Sequence, residues 1–439
     1  MTTINLPDLP AGKEFEELVA AYFQCAGRYV ERNIVDRQEE DVLELDIIVT
    51  SYESGVPPAN SLVEVKGGKW GFTDIFKIRG WLDYIGMSDG ALVVQEPRRG
   101  MDSFQRIGDR LQVRVIAIPE RSTAAQALEL LPGAAQVQEI DLDGWRFSYW
   151  TERQTLRRII ANKKSMTGKK CYAALDRYFS LIANRTFFTE NIIERAEKLY
   201  ETFQEFPNVS AKLAHELQGD DFDSEYDSVP RPVFSRAYYE GKLNGLELST
   251  YVEHRSRLAV MKAAIDYQLF KVAGRDQNLT HTFKLGDVSY EYTRLDTMPL
   301  SFQAGIKTIS THPYFHRYPV FWQWFLWFFG GFILNDYQAH EYAFLADRTG
   351  IPVKHIPEAL EAYNILFPLE TGWFMEHPSN NVKIMKLFPI TFMGVGANIR
   401  RWLYSQEKEW KGLRTTGENT LRDLIKWNNA AVELLSWKG

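Results

Sequence analysis

Residues 61–68 read SLVEVKGG, and the preceding segment 41–52 reads DVLELDIIVTSY. Side chains alternate across a strand, so Glu64 and Lys66 share one face while Val63 and Val65 occupy the other. A Glu and a Lys two positions apart on a strand commonly form an ordinary surface ion pair. The flanking sequence has to decide between that interpretation and a functional site.

Regular elements are predicted on both sides of this strand. GKEFEELVAAYFQCAG, residues 12–27, has apolar residues at helical spacing and ends at a glycine, which predicts a helix. Segments 29–35 and 41–52 alternate as strands, with Leu43, Leu45, Ile47 and Val49 predicted on one face and Asp46 on the other.

Beyond the Glu-x-Lys strand, the sequence predicts a helix in residues 72–86, a buried strand in 91–95, a helix in 104–111 and a strand in 113–119. The predicted order is therefore αβββαβαβ. It corresponds to an α/β N-terminal domain.

The turn YESGVPPAN, residues 52–60, joins the two central strands, which predicts that they are antiparallel neighbours. Asp46 would then meet Glu64 and Lys66 on the polar face, and we expect both carboxylates to face the surface. Two carboxylates at one point repel each other unless a cation lies between them. Oxygen ligands completed by water suit Mg²⁺ or Mn²⁺.

The series GKEFEELV, LELD, LVEVK, helix and ALVV resembles the PD-(D/E)xK restriction-endonuclease-like nucleases, and among them the Mrr-type restriction endonucleases. The resemblance covers roughly residues 10–120. It implies that Asp46 and Glu64 hold the metal, that Lys66 orients or deprotonates the attacking water, and that Glu16 assists. Leu45 stands where the family name has proline, and the adjacent Glu17 leaves open which glutamate faces the site.

Two further lysines are candidate nucleic-acid contacts. Lys77, in the helix after the Glu-x-Lys strand, occupies the region where many relatives carry a glutamine, and Lys69 lies one turn beyond the motif. The alternative for both is an ordinary solvated surface lysine.

Composition limits the functional class. The 439 residues carry a net charge of −6, and 45% of them are hydrophobic, which is typical of a globular protein of two or three domains. Only Cys25 and Cys171 are present, which argues against a disulfide framework and a cysteine-rich zinc site. No signal peptide is predicted at the start, so a cytoplasmic location is expected.

Charge is distributed unevenly along the chain. Residues 1–120 hold 13 Lys and Arg against 20 Asp and Glu, whereas the remainder holds 38 against 37. Residues 153–170, which we call the basic segment, contain seven basic side chains and no acidic one. The segment is predicted either to bind the DNA backbone or to be a flexible linker. The predicted phosphate contacts in it are Arg157, Arg158, Lys163 and Lys164.

The domain prediction is a nuclease domain in 1–122, a connector with the basic segment in 123–170, and a mostly α-helical domain for sensing or assembly in 171–439. Within the connector, DLDGWRFSYWTERQ is interpreted as a strand, and HTFKLGDVSYEYTRL later in the chain as a small strand pair. Segment 319–335, PVFWQWFLWFFGGFILN, is short for a membrane span and contains Gln323, so a buried core helix or a dimer-interface helix is favoured.

The function predicted from these observations is Mg²⁺-dependent hydrolysis of DNA by an endonuclease with a restriction or anti-phage defence role. The partners expected are DNA and either further copies of the chain or a separate sensor subunit, with no membrane span. An RNA or tRNA nuclease with the same site, and a non-catalytic scaffold of the nuclease fold that binds nucleic acid, remain alternatives.

Overall fold

The structure is a computed structural model of the chain. It describes residues 6–37, 41–95, 97–119, 121–132, 137–161, 244–274, 280–285, 288–293, 298–369, 372–376, 382–385 and 388–405.

The first part of the chain forms helices and strands in the order αβββαβαβ, as the sequence predicts. The elements are α1 (Lys13–Cys25), β1 (Tyr29–Arg37), β2 (Asp41–Ser51), β3 (Ala59–Lys66), α2 (Phe72–Ile85), β4 (Asp89–Val94), α3 (Met101–Arg110) and β5 (Val113–Ala117).

The five strands form one mixed sheet in the order β1-β2-β3-β4-β5. Strands β1, β2 and β3 are antiparallel, as expected from the short turn between β2 and β3, while β3, β4 and β5 are parallel. Helices α2 and α3 provide the two crossover connections that parallel neighbours require. The N-terminal sheet with flanking helices is thus confirmed at the level of the mixed α/β architecture.

At Asp46, the odd-numbered side chains of β2 change from one side of the sheet to the other. Leu43 and Leu45 pack in the apolar cluster beneath α2, whereas Ile47 and Val49 pack in the cluster on the α1 side of the sheet. The prediction that these four residues share one face was therefore wrong. On the neighbouring strand, Asn33 has a φ of 52°, so the regular alternation is interrupted on β1 at the same level.

The connector contains two helices, α4 (Ala124–Glu129) and α5 (Glu139–Ala161). The strand predicted for DLDGWRFSYWTERQ was therefore wrong. Residues 144–152 of α5 are all buried, since α5 packs on α1 and also on the aromatic segment Trp324–Phe328. A helix buried on every side needs no amphipathic period, which explains why this stretch shows no helical pattern.

The described residues from 244 to 405 are mostly helical, as predicted, and the predicted strand pair is an antiparallel hairpin. Their elements are α6 (Asn244–Val272), β6 (Thr280–Leu285), β7 (Val288–Thr293), α7 (Leu300–Ile309), α8 (Tyr318–Gln323), β8 (Phe332–Leu334), α9 (Gln338–Thr349), α10 (Ile356–Leu366), β9 (Phe374–Glu376), β10 (Val382–Met385) and α11 (Ile390–Ser405).

Segment 319–335 is buried inside the chain, which confirms the prediction of a core helix. Helix α8 continues into one π-helical turn, Trp324–Phe328, and the Gly330-Gly331 pair then turns the chain into β8. Gly330 has a φ of 74°, and a Cβ there would lie 2.5 Å from the carbonyl oxygen of Phe392, so glycine is required. Because these aromatic rings are buried in the chain's own core, they offer no interface for a second copy.

No helix in the described ranges combines the length and the apolar character that a bilayer span would need. The apolar core on the α1 side of the sheet is continuous with the core of the helical part, so one cluster includes Phe15, Val65, Trp145, Trp324 and Ile399. The boundaries 1–122, 123–170 and 171–439 stay predictions.

Candidate functional site

Asp46 lies where β2 separates from β3. The paired register of the two strands ends at Ile47 and Val63, and extending it by one pair places Asp46 opposite Glu64. The backbone N–H of Val65, just beyond the last paired residues, donates a hydrogen bond of 2.9 Å to Asp46 Oδ2. The Asp46 side chain thus bonds to β3 beyond the point where the backbone pairing ends, and 9% of the residue is exposed.

Glu64 is more deeply buried than the sequence predicted. Only 2% of the residue is exposed, so the expectation that both carboxylates face the surface was wrong. Its Oε1 accepts a hydrogen bond of 2.5 Å from Lys66 Nζ, while its buried Oε2 has no hydrogen-bond partner among the described residues. Burial, together with the charge of Asp46, raises the pKa of Glu64 to about 7 although Lys66 lowers it.

Lys66 is the positively charged member of the group that it forms with Asp46 and Glu64. Burial lowers the pKa of Lys66, but its hydrogen bond to Glu64 and the charges of Glu64 and Asp46 outweigh that effect, so the pKa is raised. Its side chain retains 29% exposure. The ammonium group is therefore fully charged and still accessible from the solvent side.

The two adjacent glutamates of α1 point to different places. Glu17 is buried and accepts hydrogen bonds of 2.6 and 3.1 Å from Arg153 on α5. Glu16 instead lies towards Asp46: burial raises the pKa of Glu16 despite its hydrogen bond of 2.9 Å from Lys13, and the charge of Asp46 raises it further. The structure therefore places Glu16, and not Glu17, beside the candidate site.

Two residues near the site were missed by sequence reasoning. Lys13 Nζ is 2.9 Å from Glu16 Oε2 and 3.6 Å from Glu44 Oε1, so its charge offsets those of the two carboxylates beside the candidate site. Gln95 donates its backbone N–H to the carbonyl of Lys66 (3.0 Å) and its side-chain amide to the carbonyl of Pro10 (2.8 Å). A polar residue directly after the buried run ALVV was the available signal for Gln95.

The surface of α2 beside the site carries exposed aromatic and basic side chains. Phe72, Phe76 and Tyr84 have exposed fractions of 38%, 57% and 56%. Lys77 is exposed, its Nζ lies 4.1 Å from the ring centroid of Trp81, and its charge lowers the pKa of Glu64.

Of the other predicted nucleic-acid contacts, the structure describes the side chain of Lys69 alone. Lys69 is exposed in the loop between β3 and α2. The side chains of Arg157 and Arg158, and all of Lys163 and Lys164, lie outside the described residues, so their assignment stays a prediction.

The oxygen atoms at this site suit a divalent cation. Asp46 and Glu64 supply carboxylate oxygens, and Glu64 Oε2 is buried without a hydrogen-bond partner among the described residues, as expected of an atom reserved for a ligand. Within the described ranges there is no group of three or more His, Cys, Asp and Glu side chains that could hold a metal ion. Two carboxylates fit a cation such as Mg²⁺, which usually retains several water ligands.

Comparisons of this chain with protein-family models, with curated proteins and with solved structures found no match.

Proposed function

We propose that this chain is a metal-dependent endonuclease of the restriction-endonuclease-like fold that hydrolyses phosphodiester bonds in DNA. The observation that carries the proposal is the buried Glu64, with one oxygen lacking a partner among the described residues, beside Asp46 and in contact with Lys66. The resemblance of GKEFEELV, LELD and LVEVK to the PD-(D/E)xK nucleases supports the same assignment.

The alternative of a non-catalytic scaffold that only binds nucleic acid explains this arrangement poorly. A buried carboxylate whose pKa is raised destabilises the folded protein at neutral pH, and a binding surface gains nothing from it. Strongly shifted pKa values at a cluster of charged groups are more typical of sites that bind a cation or perform acid-base chemistry.

Mg²⁺ or Mn²⁺ held by Asp46 and Glu64 would supply Lewis-acid stabilisation of phosphate charge and lower the pKa of a bound water. Lys66 would orient the attacking water or donate to a non-bridging phosphate oxygen through its partly exposed ammonium group. Glu16, with Lys13 beside it, would accept a proton at the edge of the site. Gln95 would hold the loop at Pro10 against the strand that carries Lys66.

DNA would approach across α2. Lys69 and Lys77 would contact phosphates, while the exposed rings of Phe72 and Phe76 would stack on bases that are unpaired near the cut. The chemistry of the site is the same for RNA, so an RNA or tRNA nuclease is the second candidate. A restriction or anti-phage role rests on the family resemblance.

The proposal is tested by incubating the purified full chain with supercoiled plasmid and, separately, with a structured RNA, in Mg²⁺, in Mn²⁺ and in excess EDTA. We expect plasmid cleavage that requires the metal and that is lost in Asp46→Asn and in Lys66→Met. Glu53→Gln, an exposed carboxylate in the turn after β2, is the matched control and should cut normally.

Metal-dependent cleavage of RNA alone would replace the DNA assignment by the RNA one. Cleavage that persists in EDTA, or that Asp46→Asn leaves at the wild-type rate, would overturn the proposed site.

A further inference from the structure

The carboxyl ends of strands β3, β4 and β5 lie at one edge of the sheet, because these strands are parallel. Lys66 is paired with Val94 in the register of β3 and β4, so the loop after β3, residues 67–71, and the loop after β4, residues 95–100, both begin beside the candidate site. Sheets with parallel strands commonly bind their ligands outside the carboxyl ends of the strands. This edge is therefore where a long substrate would extend from the site.

Aromatic rings pack the two loops against each other. The ring centroid of Trp70 lies 4.8 Å from that of Phe104 in α3, and the ring of Phe72 stacks on Phe104 at 4.0 Å. Trp70 is buried, and the guanidinium carbon of Arg98 lies 5.5 Å from its ring centroid. A Cβ built on Gly71 would lie 3.7 Å from Arg98 Nη1. The guanidinium group of Arg98 is therefore held beside the start of α2.

Two observations place Arg98 close to Lys66. The backbone N–H of Gln95 donates a hydrogen bond of 3.0 Å to the carbonyl of Lys66. Three residues span at most about 11 Å, so the Cα of Arg98 lies within that distance of the Cα of Gln95. Burial lowers the pKa of Lys66, but nearby carboxylates raise it, and one of them is Asp74 in the first turn of α2, the helix end beside which Arg98 lies.

Three cations of these loops are available to a ligand. Arg98, Arg99 and Lys69 are exposed, and none of them forms an ion pair or a hydrogen bond with another described residue. The guanidinium group of arginine presents a planar fork of donors that matches the oxygens of a phosphate group. The two arginines therefore suit a phosphate ligand better than they suit any partner in the described part of the chain.

The acidic residues nearest to the two arginines in the sequence are Glu96, Asp102 and Asp74 of the neighbouring loop. Asp74 Oδ2 accepts a hydrogen bond of 2.7 Å from the backbone N–H of Gly71. Asp102 is exposed in the first turn of α3, where the helix dipole already favours its charge. Glu96 lies outside the described residues. Neither of the two described carboxylates is thus an ion-pair partner of the arginines.

We propose that Arg98 and Arg99 bind phosphates of the substrate strand next to the bond that is cut. This inference rests on the proposed nuclease function and extends its substrate-binding surface from α2 to the loop after β4. Successive phosphates of one strand rise about 3.4 Å along a duplex, so cations on this loop reach phosphates roughly one to three nucleotides from the cut. Such contacts hold the strand in place without reading its sequence.

The experiment measures the affinity of the full chain for a labelled DNA duplex in EDTA, by fluorescence anisotropy at several salt concentrations. Replacing Arg98 and Arg99 together with methionine should reduce the slope of log affinity against log salt by about two units, one for each lost phosphate contact. The same slope implies a loss of affinity of roughly tenfold or more at about 0.1 M salt. Duplexes of unrelated sequence should show the same loss, because phosphates carry no sequence information.

The matched control replaces Arg110 and Arg114 together with methionine. Arg110 ends α3, and Arg114 is the second residue of β5, so both of these exposed arginines lie at the opposite edge of the sheet. The control removes the same charge from the same domain and should leave the salt slope unchanged. Circular dichroism checks that both double variants are folded.

Cleavage kinetics in Mg²⁺ separate binding from chemistry. The Arg98 and Arg99 double variant should raise KM by about the factor by which it weakens binding, with kcat within about twofold of wild type, because the arginines contact phosphates that do not react. A fall in kcat with KM unchanged would overturn this assignment, since the arginines would then act on the reacting phosphate.

The variants also separate a failure of this inference from a failure of the nuclease assignment. If the wild type cleaves nucleic acid but the Arg98 and Arg99 double variant keeps its salt slope, or loses no more than the control, the two arginines are not phosphate contacts and the nuclease assignment stands. A wild type that cleaves neither DNA nor RNA would overturn the nuclease assignment, and this inference with it.

Discussion

Replacing Glu64 with glutamine should stabilise the metal-free protein at alkaline pH. Glutamine keeps the shape of the side chain and can still accept the hydrogen bond that Lys66 Nζ donates to Glu64 Oε1. It removes the negative charge that burial and Asp46 disfavour. The substitution therefore imitates a glutamic acid that stays protonated at every pH.

The size of the effect is set by the pKa. In the folded state the pKa of Glu64 is about 7, against 4.5 for the ordinary side chain, so the folded state binds more protons than the unfolded state between these values. Stability of the wild type then falls as the pH rises from about 4.5 to 7. At about 1.36 kcal/mol per unit, the full difference is about 3 kcal/mol. Glu64→Gln should recover most of it at pH 8 and little of it at pH 4.

Urea denaturation in EDTA at several pH values measures this effect. The difference in free energy of unfolding between Glu64→Gln and wild type should increase with pH and level off above pH 7. Glu53→Gln, an exposed carboxylate, should show no such trend. A Glu64→Gln protein that is less stable than wild type at pH 8 would refute the reasoning, because the buried carboxylate would then be stabilising.

Three further outcomes are expected. Lys66→Met should reduce metal-dependent plasmid cleavage by roughly 100-fold or more while circular dichroism stays unchanged, and activity within twofold of wild type would exclude Lys66 from the chemistry. Arg400→Met should lower the free energy of unfolding by about 3–5 kcal/mol, because it leaves the buried Glu341 carboxylate, which lies 2.6 Å from Arg400 Nε in the wild type, without its cation. Urea titration measures this loss. Adding Glu341→Gln to Arg400→Met should restore part of it. Replacing the four predicted phosphate contacts of the basic segment with alanine should flatten the salt dependence of DNA affinity by roughly one unit of slope per lost contact, and an unchanged slope in fluorescence anisotropy would identify the segment as a linker.

Local patterns in the sequence were sufficient for the order of elements in the first 119 residues. Alternation predicted β2 and β3, a terminal glycine predicted the end of α1, and the apolar run ALVV predicted a strand covered on both faces. The same patterns identified Asp46, Glu64 and Lys66 as one group, because a short turn between antiparallel strands fixes which residues are opposite.

Burial was harder to predict, because it depends on residues far away in the chain. The alternating WRFSYW of α5 has the period of a strand, yet the helix satisfies its polar members through distant partners. Arg146 donates to the carbonyl of Pro7, and Ser148 donates to the carbonyl of Trp327. Contacts between residues more than a hundred positions apart leave no local signature, and the same limit applies to the ion pairs of Glu152 with Arg32 and Arg255.

Helix α1 illustrates how such long-range contacts decide the role of a residue. Glu16 and Glu17 are neighbours, and 100° of helical rotation sends one carboxylate to the sheet edge at Asp46 and the other to Arg153 on α5. Lys13 and Glu16 line both the candidate nuclease site and a cavity between α1, β1, α5 and α6. The packing of α5 on α1 therefore decides which of two adjacent glutamates faces the candidate site, because Arg153 pairs with Glu17 and leaves Glu16 towards Asp46.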